Sequence, residues 1–393
     1  MSTSTNIAYT SWMPNWGIDL LLSVDATSVL LLTTSLLIII SSLIVSTTEE
    51  KSKKHYFLMM LLTISFIGFC TSSNLVLKVL FWETCFIPIL LLMLSEDETK
   101  GTAQLFSLVW LISGITIIVG SLLYYSNLST GSYGNYKEII FWLFMSSIFI
   151  RSLIYPFDRL TDNTAKNNSR GLSIIVTLIL PLMSLLFLIQ VVVPSFKDEL
   201  VKHNSIIYFA LIVTALIRIA ITIRSKKLYT VINSQVIIFN TIFFFYITNI
   251  SQSTEAYTIE LISIKSLLNV VIVYYGIEAV KNGIKTNSLY FWILLTSLIL
   301  SFGLISPIIS KPMMAITTHI NADSAMYGTY LLLIVGITLL VTSIKTSYII
   351  DVRKVADNNT SNHFTTATMI VLIMISVIAP LTNICSRFYE YIK

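Results

Sequence analysis

Six ionisable side chains fall inside otherwise apolar runs of the chain: Lys78, Glu83, Arg151, Arg218, Glu260 and Lys265. A charge in a hydrocarbon setting costs several kcal/mol, so each such position is by default a functional candidate that needs a partner. Glu83 lies deep in LKVLFWETCFIPILLLML, too deep for its short side chain to reach water easily. Arg151 lies well inside FWLFMSSIFIRSLIYPF, where even a snorkelling guanidinium would struggle. An ion pair between Glu83 and Arg151 on neighbouring helices would lower the cost of burying both. Lys265 is central in YTIELISIKSLLNVVIVYYG, while Glu260 is five residues away and off its helical face, so Lys265 is the better candidate. Lys78 and Arg218 lie close to the ends of their runs and read as snorkelling anchors.

Other chemistries are excluded by what the chain does not place together. The histidines His55, His203, His319 and His363 fall between apolar runs, so no pair of them ligates a haem and none serves as a proton relay within a span. Cys70, Cys85 and Cys385 are scattered through apolar sequence and form no CxxC pair, which argues against a disulfide framework, a zinc site or an iron–sulfur cluster. There is no GxGxxG and no GxxxxGK[ST], so no nucleotide or dinucleotide is expected here. The net charge of +5 is small and its basic residues form no stripe with interleaved aromatics, so nucleic acid is not an expected partner. Any redox or ATP chemistry belongs to another chain.

The elements that must position these residues follow from composition. Of 393 residues, 55% are hydrophobic and only 11% charged, against roughly 25% charged in an ordinary soluble domain. Apolar runs bounded by charge or turn residues predict twelve spans, at 26–46, 56–73, 75–95, 104–126, 139–158, 171–194, 205–223, 228–250, 257–276, 289–310, 327–345 and 364–385. The expectation is an all-α, polytopic transmembrane bundle forming a single domain over residues 1–393. No cleaved targeting segment is read at the N-terminus. Loops on one face hold fifteen of the 25 lysines and arginines, those on the N-terminal face six, and the spans four. The positive-inside rule then puts both termini on the outer side. Pro156 and the pair Ser306–Pro307 predict two broken helices, one beside Arg151 and one beside Lys311.

Six segments, in order, resemble those of the antiporter-like subunits of respiratory complex I. IDLLLSVDATSVLLLTTSLL is similar to the family's "GVDGLS…LLTT" entry to a core helix. VLFWETCFIPILLLM is similar to "FWE..LIP..LL", a spelling most typical of subunit 4 and the most specific of the six. FWLFMSSIFIRSLIYPFDRL resembles the broken-helix motif "K.P..PFHTWLPDAH", and RSKKLYTVINSQVIIFNTIF resembles "DLK.LIAYSSV.H". IKSLLNVVIVYYG sits where "HGL.SS.LF...G" is expected, and LSFGLISPIISKP where "L..LG.PG..GF.GE" is expected.

The resemblance implies a membrane-arm subunit of proton-pumping NADH:ubiquinone oxidoreductase, shortened by the family's first two helices. It implies that NADH, FMN, iron–sulfur clusters and ubiquinone are held by other subunits and that this chain has no catalytic centre. The implied partners are the neighbouring antiporter-like subunits 2 and 5, accessory subunits and phospholipids. The Ile-, Asn-, Lys- and Ser-rich usage and the lack of a readable presequence point to the mitochondrial inner membrane, with both termini toward the intermembrane space, ahead of a bacterial plasma membrane. Its working parts carry over residue by residue: Glu83 matches a buried glutamate and Arg151 the lysine that partners it. Asp158 and Lys265 stand at histidine positions, and Lys311 is the nearest ionisable group to an acidic residue of the second broken helix. A central lysine would fall near Leu182, yet nothing between Gly171 and Pro194 ionises. Arginine stays protonated where a buried lysine can release its proton, so these departures imply a degraded proton path and a coupling role. A cation/proton antiporter, alone or in a multi-subunit complex, shares the same motifs and remains the alternative.

Overall fold

The computed structural model describes residues 5–13, 18–24, 26–47, 53–95, 100–130, 133–158, 170–225, 228–248, 269–270 and 272. The first eight predicted spans fall in this region and all are helical. They are α1 Ala26–Thr47, α2 Lys53–Thr71, α3 Leu75–Thr84 with α4 Phe86–Leu94, α5 Lys100–Thr130, α6 Tyr133–Arg151, α7 Arg170–Phe187, and, after a short helix α8 Lys197–Lys202, α9 Asn204–Arg224 and α10 Leu228–Thr248. Six helical segments among the described residues are long and apolar enough to cross a membrane. The chain is therefore a helical, multi-pass membrane protein. The four remaining spans and the Ser306–Pro307 break lie outside the described residues.

One element is not helical. Strands β1 Thr5–Met13 and β2 Ile18–Val24 pair antiparallel, with Thr5 opposite Val24 and Met13 opposite Ile18. The run IDLLLSV is too short for periodicity to separate strand from helix, and β1 supplies its backbone partners. The hairpin braces the turn between α2 and α3: Ser73 donates its N–H to the Leu21 carbonyl at 3.1 Å, and Asn74 Nδ2 reaches the Asp19 carbonyl at 3.4 Å. Asn74 also caps α3, its Oδ1 accepting from the Val76 N–H at 2.9 Å and from the Tyr125 hydroxyl at 2.8 Å.

Helix interruptions have local causes. Pro88 has no N–H for the Thr84 carbonyl, and the chain breaks there between α3 and α4, leaving Glu83 in the last turn of α3. After α6, Leu153 takes the left-handed conformation at φ 62°, and the Ile154 N–H closes back on the Phe149 carbonyl at 3.2 Å. That is a Schellman ending with a leucine where glycine is usual. Pro156 follows, so the helix ends at Arg151 rather than running on to 158 as the apolar run suggested. In α7, Pro181 is tolerated because the helix is buried on every side, and a π-turn at Leu188–Val192 follows it. An all-round apolar helix of this kind belongs at the centre of a bundle, and α1, α4, α6 and α10 pack around it. Gly171 permits the close approach of α1, whose Ser42 hydroxyl donates to the Gly171 carbonyl at 2.7 Å.

His55 lies inside an element rather than in a loop. Because α2 begins at Lys53, His55 occupies its first turn, buried, with Nε2 3.1 Å from Ser46 Oγ.

Candidate functional site

Glu83 and Arg151 meet at the junction of α3, α5 and α6. Arg151 Nη2 lies 2.5 Å from Glu83 Oε1, and the second carboxylate oxygen accepts from Trp110 Nε1 at 2.9 Å. Arg151 Nε donates to Ser113 Oγ at 2.6 Å, and Ser113 Oγ lies 2.8 Å from Ser147 Oγ. The guanidinium carbon sits 3.9 Å from the Trp110 ring centroid and 4.8 Å from that of Trp82, so two indole faces bracket the cation. Gly114 makes room for the carboxylate, since a Cβ there would lie 2.9 Å from Glu83 Oε2. The two partners differ in access: the Arg151 side chain is 3% exposed and that of Glu83 25%. Glu83 opens onto a groove of about 470 Å³ between α3 and α5, lined by Val76, Leu80, Ile87, Ile118, Leu122 and Tyr125 among others, in which it is the single charged residue. A carboxylate so placed can take up a proton; its arginine partner cannot give one.

The break after α6 carries a second pair. Arg218 Nε lies 2.6 Å from Asp158 Oδ2, and Arg218 Nη2 donates to the Asp158 carbonyl at 2.5 Å. Both side chains are fully buried. The inward face of α9 runs Ile207, Leu211, Thr214, Arg218 and Thr222, one helical stripe. Thr214 Oγ1 accepts from the Tyr155 N–H at 3.1 Å, so α9 grips the irregular segment at two points one turn apart. Arg218 is thus no snorkelling anchor. Its partner lies sixty residues earlier in the chain, and closeness to a span end does not reveal such a partner.

Lys78 is not an anchor either. Only 4% exposed, it reaches the Phe69 carbonyl at the C-terminal end of α2, at 3.4 Å, and the side-chain oxygen of Gln190 in the π-turn. Gln190 Nε2 in turn donates to Ser28 Oγ of α1 at 2.7 Å. Nearness to the span end implied a short route to water, but the side chain is turned to these inner partners and buried.

A solvated cluster ties α8 to the start of α6. Lys137 Nζ lies 3.0 Å from Glu199 and 3.5 Å from Asp198, while Lys202 Nζ and His203 Nε2 each lie 2.8 Å from Glu138. Hydrogen bonding to Glu199 holds the Lys137 ammonium above its ordinary value, and hydrogen bonding from Lys202 holds the Glu138 carboxyl below its own. His203 stacks on Phe141 with ring centroids 5.9 Å apart.

Of the site residues expected from sequence, the structure brings Glu83 and Arg151 into direct contact and puts Asp158 at the break that follows them. Lys265 and Lys311, with Glu260, lie outside the described residues. Trp110, Ser113, Gly114, Gln190 and Arg218 were not singled out as site residues by sequence. Trp110 and Gly114 share a face of α5 four residues apart, a signal that acquires meaning only once Glu83 is known to lie opposite. No ligating cluster of three or more His, Cys, Asp or Glu side chains occurs among the described residues.

No protein-family model matches the sequence, and no curated protein matches it. Solved structures do match in fold. A chain of "Respiratory complex I from Thermus thermophilus with bound NADH" superposes with a TM-score of 0.73 at 12% identity, covering 95% of this chain and 85% of that one. A chain of the membrane-bound sulfane sulfur reductase, an archaeal respiratory membrane complex, gives 0.74 at 11% identity, over 96% and 67%. A chain of the Mrp complex from Dietzia sp. DQ12-45-1b gives 0.72 at 15% identity, over 95% of this chain but 45% of that one. At these identities the likeness is one of fold.

Proposed function

We propose that the chain is an antiporter-like subunit of a multi-subunit membrane complex, and that it transmits charge through the bilayer for proton or cation movement. The observation that carries this reading is the buried Glu83–Arg151 pair on a helix that breaks immediately after the arginine, with a second charged pair on the far side of the break. Ionisable groups inside a span mark charge pathways by default, and broken helices at membrane depth persist where they serve one. The fold likeness to chains of respiratory and antiporter complexes supports the same reading.

Within that class we favour a subunit-4-like member of the membrane arm of proton-pumping NADH:ubiquinone oxidoreductase, on the FWE…FIP spelling around Glu83. As such it would be one domain in the mitochondrial inner membrane with both termini toward the intermembrane space. It would hold no NADH, FMN, iron–sulfur cluster or ubiquinone itself. It would pack against antiporter-like subunits 2 and 5, accessory subunits and phospholipids. Glu83, Arg151, Asp158, Lys265 and Lys311 would form its charge path. Arginine at 151 and the lack of an ionisable group from Gly171 to Pro194 weaken that path as a proton route through α6 and α7, and favour an electrostatic coupling role there.

The test is purification of the tagged full chain from its native membrane in mild detergent. Co-elution with NADH-oxidising subunits supports the respiratory reading. Co-elution with other antiporter subunits and no NADH oxidation supports the multi-subunit antiporter, which the equal fold likeness to the Mrp chain keeps as the second reading. A chain that elutes alone contradicts both.

A further inference from the structure

We propose that Lys78 is the group that takes up and releases a proton in the buried core of this chain, between the π-turn that follows α7 and the Glu83 carboxylate. The inference rests on the charge-transmitting function proposed above and names the residue that performs its proton step.

Three observations converge on Lys78. First, it is a buried lysine in a core whose other described buried basic side chains are the arginines Arg151 and Arg218 and, at the opposite end of α2 from the Phe69 carbonyl that Lys78 reaches, His55. A guanidinium does not give up its proton in a protein, whereas a lysine does so readily when buried, so mobile protonation on the cationic side of this core falls to Lys78. Second, two of the oxygens it reaches, the Phe69 carbonyl and the Gln190 side-chain amide, are neutral acceptors. A neutral amine retains two N–H donors, one for each, so both contacts survive loss of the proton. The amide is held in that orientation by its own donation to Ser28, and it projects from a π-turn, a distortion that recurs at functional sites.

Third, the route toward Glu83 offers donors without acceptors. Lys78 and Trp82 lie one turn apart on the buried face of α3, and the Arg151 guanidinium carbon lies 4.8 Å from the Trp82 ring centroid. Trp82 Nε1 and Arg151 Nη1 are both buried and have no acceptor among the described residues. Water is the small acceptor that satisfies such donors and relays a proton as well. Release breaks one Nζ–H bond, leaves the electron pair on nitrogen, and passes the proton to water; the hydronium then protonates the Glu83 carboxylate. Uptake is the reverse. The titratable groups on the elements packed against α3 are Lys53, Lys54, His55, Tyr56 and Cys70 on α2 and Lys100, Tyr124 and Tyr125 on α5, with Glu83 on α3 itself and Asp19 on β2 beside α2.

A purely structural lysine, capping the carbonyls at the end of α2, predicts different behaviour. Lys78→Arg keeps the charge and the cap but cannot release the proton. The experiment uses the full chain in its purified complex, reconstituted into sealed vesicles with a trapped pH dye. The expected result is that Lys78→Arg assembles and melts as the wild type does while proton flux falls by roughly a hundredfold, the scale of a lost proton-transfer group. Wild-type flux in Lys78→Arg overturns the proposal. A second readout needs neither flux nor a folded variant other than an assignment control: nitrogen-15 resonances of lysine side chains in the wild type, with that of Lys78 identified by its loss in Lys78→Gln or Lys78→Arg. Conversion between ammonium and amine forms between about pH 6 and 10 supports the proposal. An ammonium fixed across that range overturns it for Lys78 alone. Vesicles without wild-type flux overturn the function and the onward transfer to Glu83, whatever Lys78 does.

Discussion

Two buried ion pairs, each an arginine with a carboxylate, flank a single break in the chain and are built differently. Arg218 and Asp158 are sealed, with no exposed side-chain surface, and the arginine also binds the backbone of its partner. Arg151 and Glu83 are asymmetric: the cation is enclosed by two indoles and a serine, while the carboxylate looks into a groove. A sealed pair cannot change its charge without leaving an uncompensated ion in the protein interior. A pair with one open carboxylate can be neutralised from the open side. The difference separates a clamp that holds the broken segment on α9 from a pair whose charge can be altered.

The largest effect is expected where the sealed pair is broken. Arg218→Leu leaves Asp158 buried and unpaired, and should destabilise the chain by about 3–5 kcal/mol. The assembled protein should largely vanish from fluorescence-detected size exclusion. Asp158→Leu combined with Arg218→Leu removes both charges and should recover much of the loss, as apolar replacements of buried pairs tend to do. If the double variant is no better than the single, the clamp description is wrong and the pair has a further duty.

Glu83→Gln tests the other half of the contrast. The amide oxygen can replace only one of the two carboxylate oxygens that accept from Trp110 and Arg151, and its NH2 group faces the other donor; the exposed edge of the site lets water compensate in part, so the stability loss should be smaller, about 1–3 kcal/mol. Its effect on charge movement should be larger than its effect on stability: the variant should assemble, with proton flux reduced by roughly tenfold or more. Normal flux in a well-folded Glu83→Gln chain would remove Glu83 from the path and make the two pairs equivalent.

The two pairs were also unequally legible. Glu83 and Arg151 stand out because each interrupts a long apolar run, and burying one demands the other. The Asp158–Arg218 pair did not stand out, because each residue is near the end of its run, where a charge ordinarily costs little. Its burial is imposed by tertiary structure: the chain stops being helical at Leu153 and folds Asp158 back under α9. The same holds for Lys78, whose oxygen partners come from the end of α2 and from the π-turn after α7, which hydropathy does not reveal. Apart from the fifth, expected at 139–158 and helical over Tyr133–Arg151, the first eight spans were readable to within a few residues because an apolar run of that length has few alternatives to a helix. Their interruptions at 85, 152 and 188 were only partly readable, since proline marks a lost hydrogen bond without saying where the helix yields.

Gly114→Ala probes the open pair without touching a charge. Its new methyl group would approach Glu83 Oε2 to 2.9 Å, so the carboxylate must shift away from Trp110 or from Arg151. Overpacking at this point should cost about 1–2 kcal/mol. The indole fluorescence of Trp110 should change as its hydrogen bond lengthens. Unchanged fluorescence and unchanged stability would mean that α5 moves aside and that the carboxylate is not tightly held.

The smallest effect is expected in the solvated cluster on α6 and α8, which sets a baseline for both buried pairs. Glu138 has a folded value below its unfolded one, so its stabilising share is present above about pH 4.3 and is lost as pH falls through the lower folded value. Lys137 has a folded value above its unfolded one, so its share is present below about pH 10.4 and is lost as pH rises through the higher folded value. The Lys202–Glu138 pair is exposed enough for salt to screen it, with Lys202 at 61% and Glu138 at 50%. Thermal unfolding followed against pH should therefore show a slight acid loss that Lys202→Ala makes shallower and that added salt reduces. The sealed Arg218–Asp158 pair should show no comparable salt sensitivity, and an acid loss that persists unchanged in Lys202→Ala would exclude Glu138 as its source.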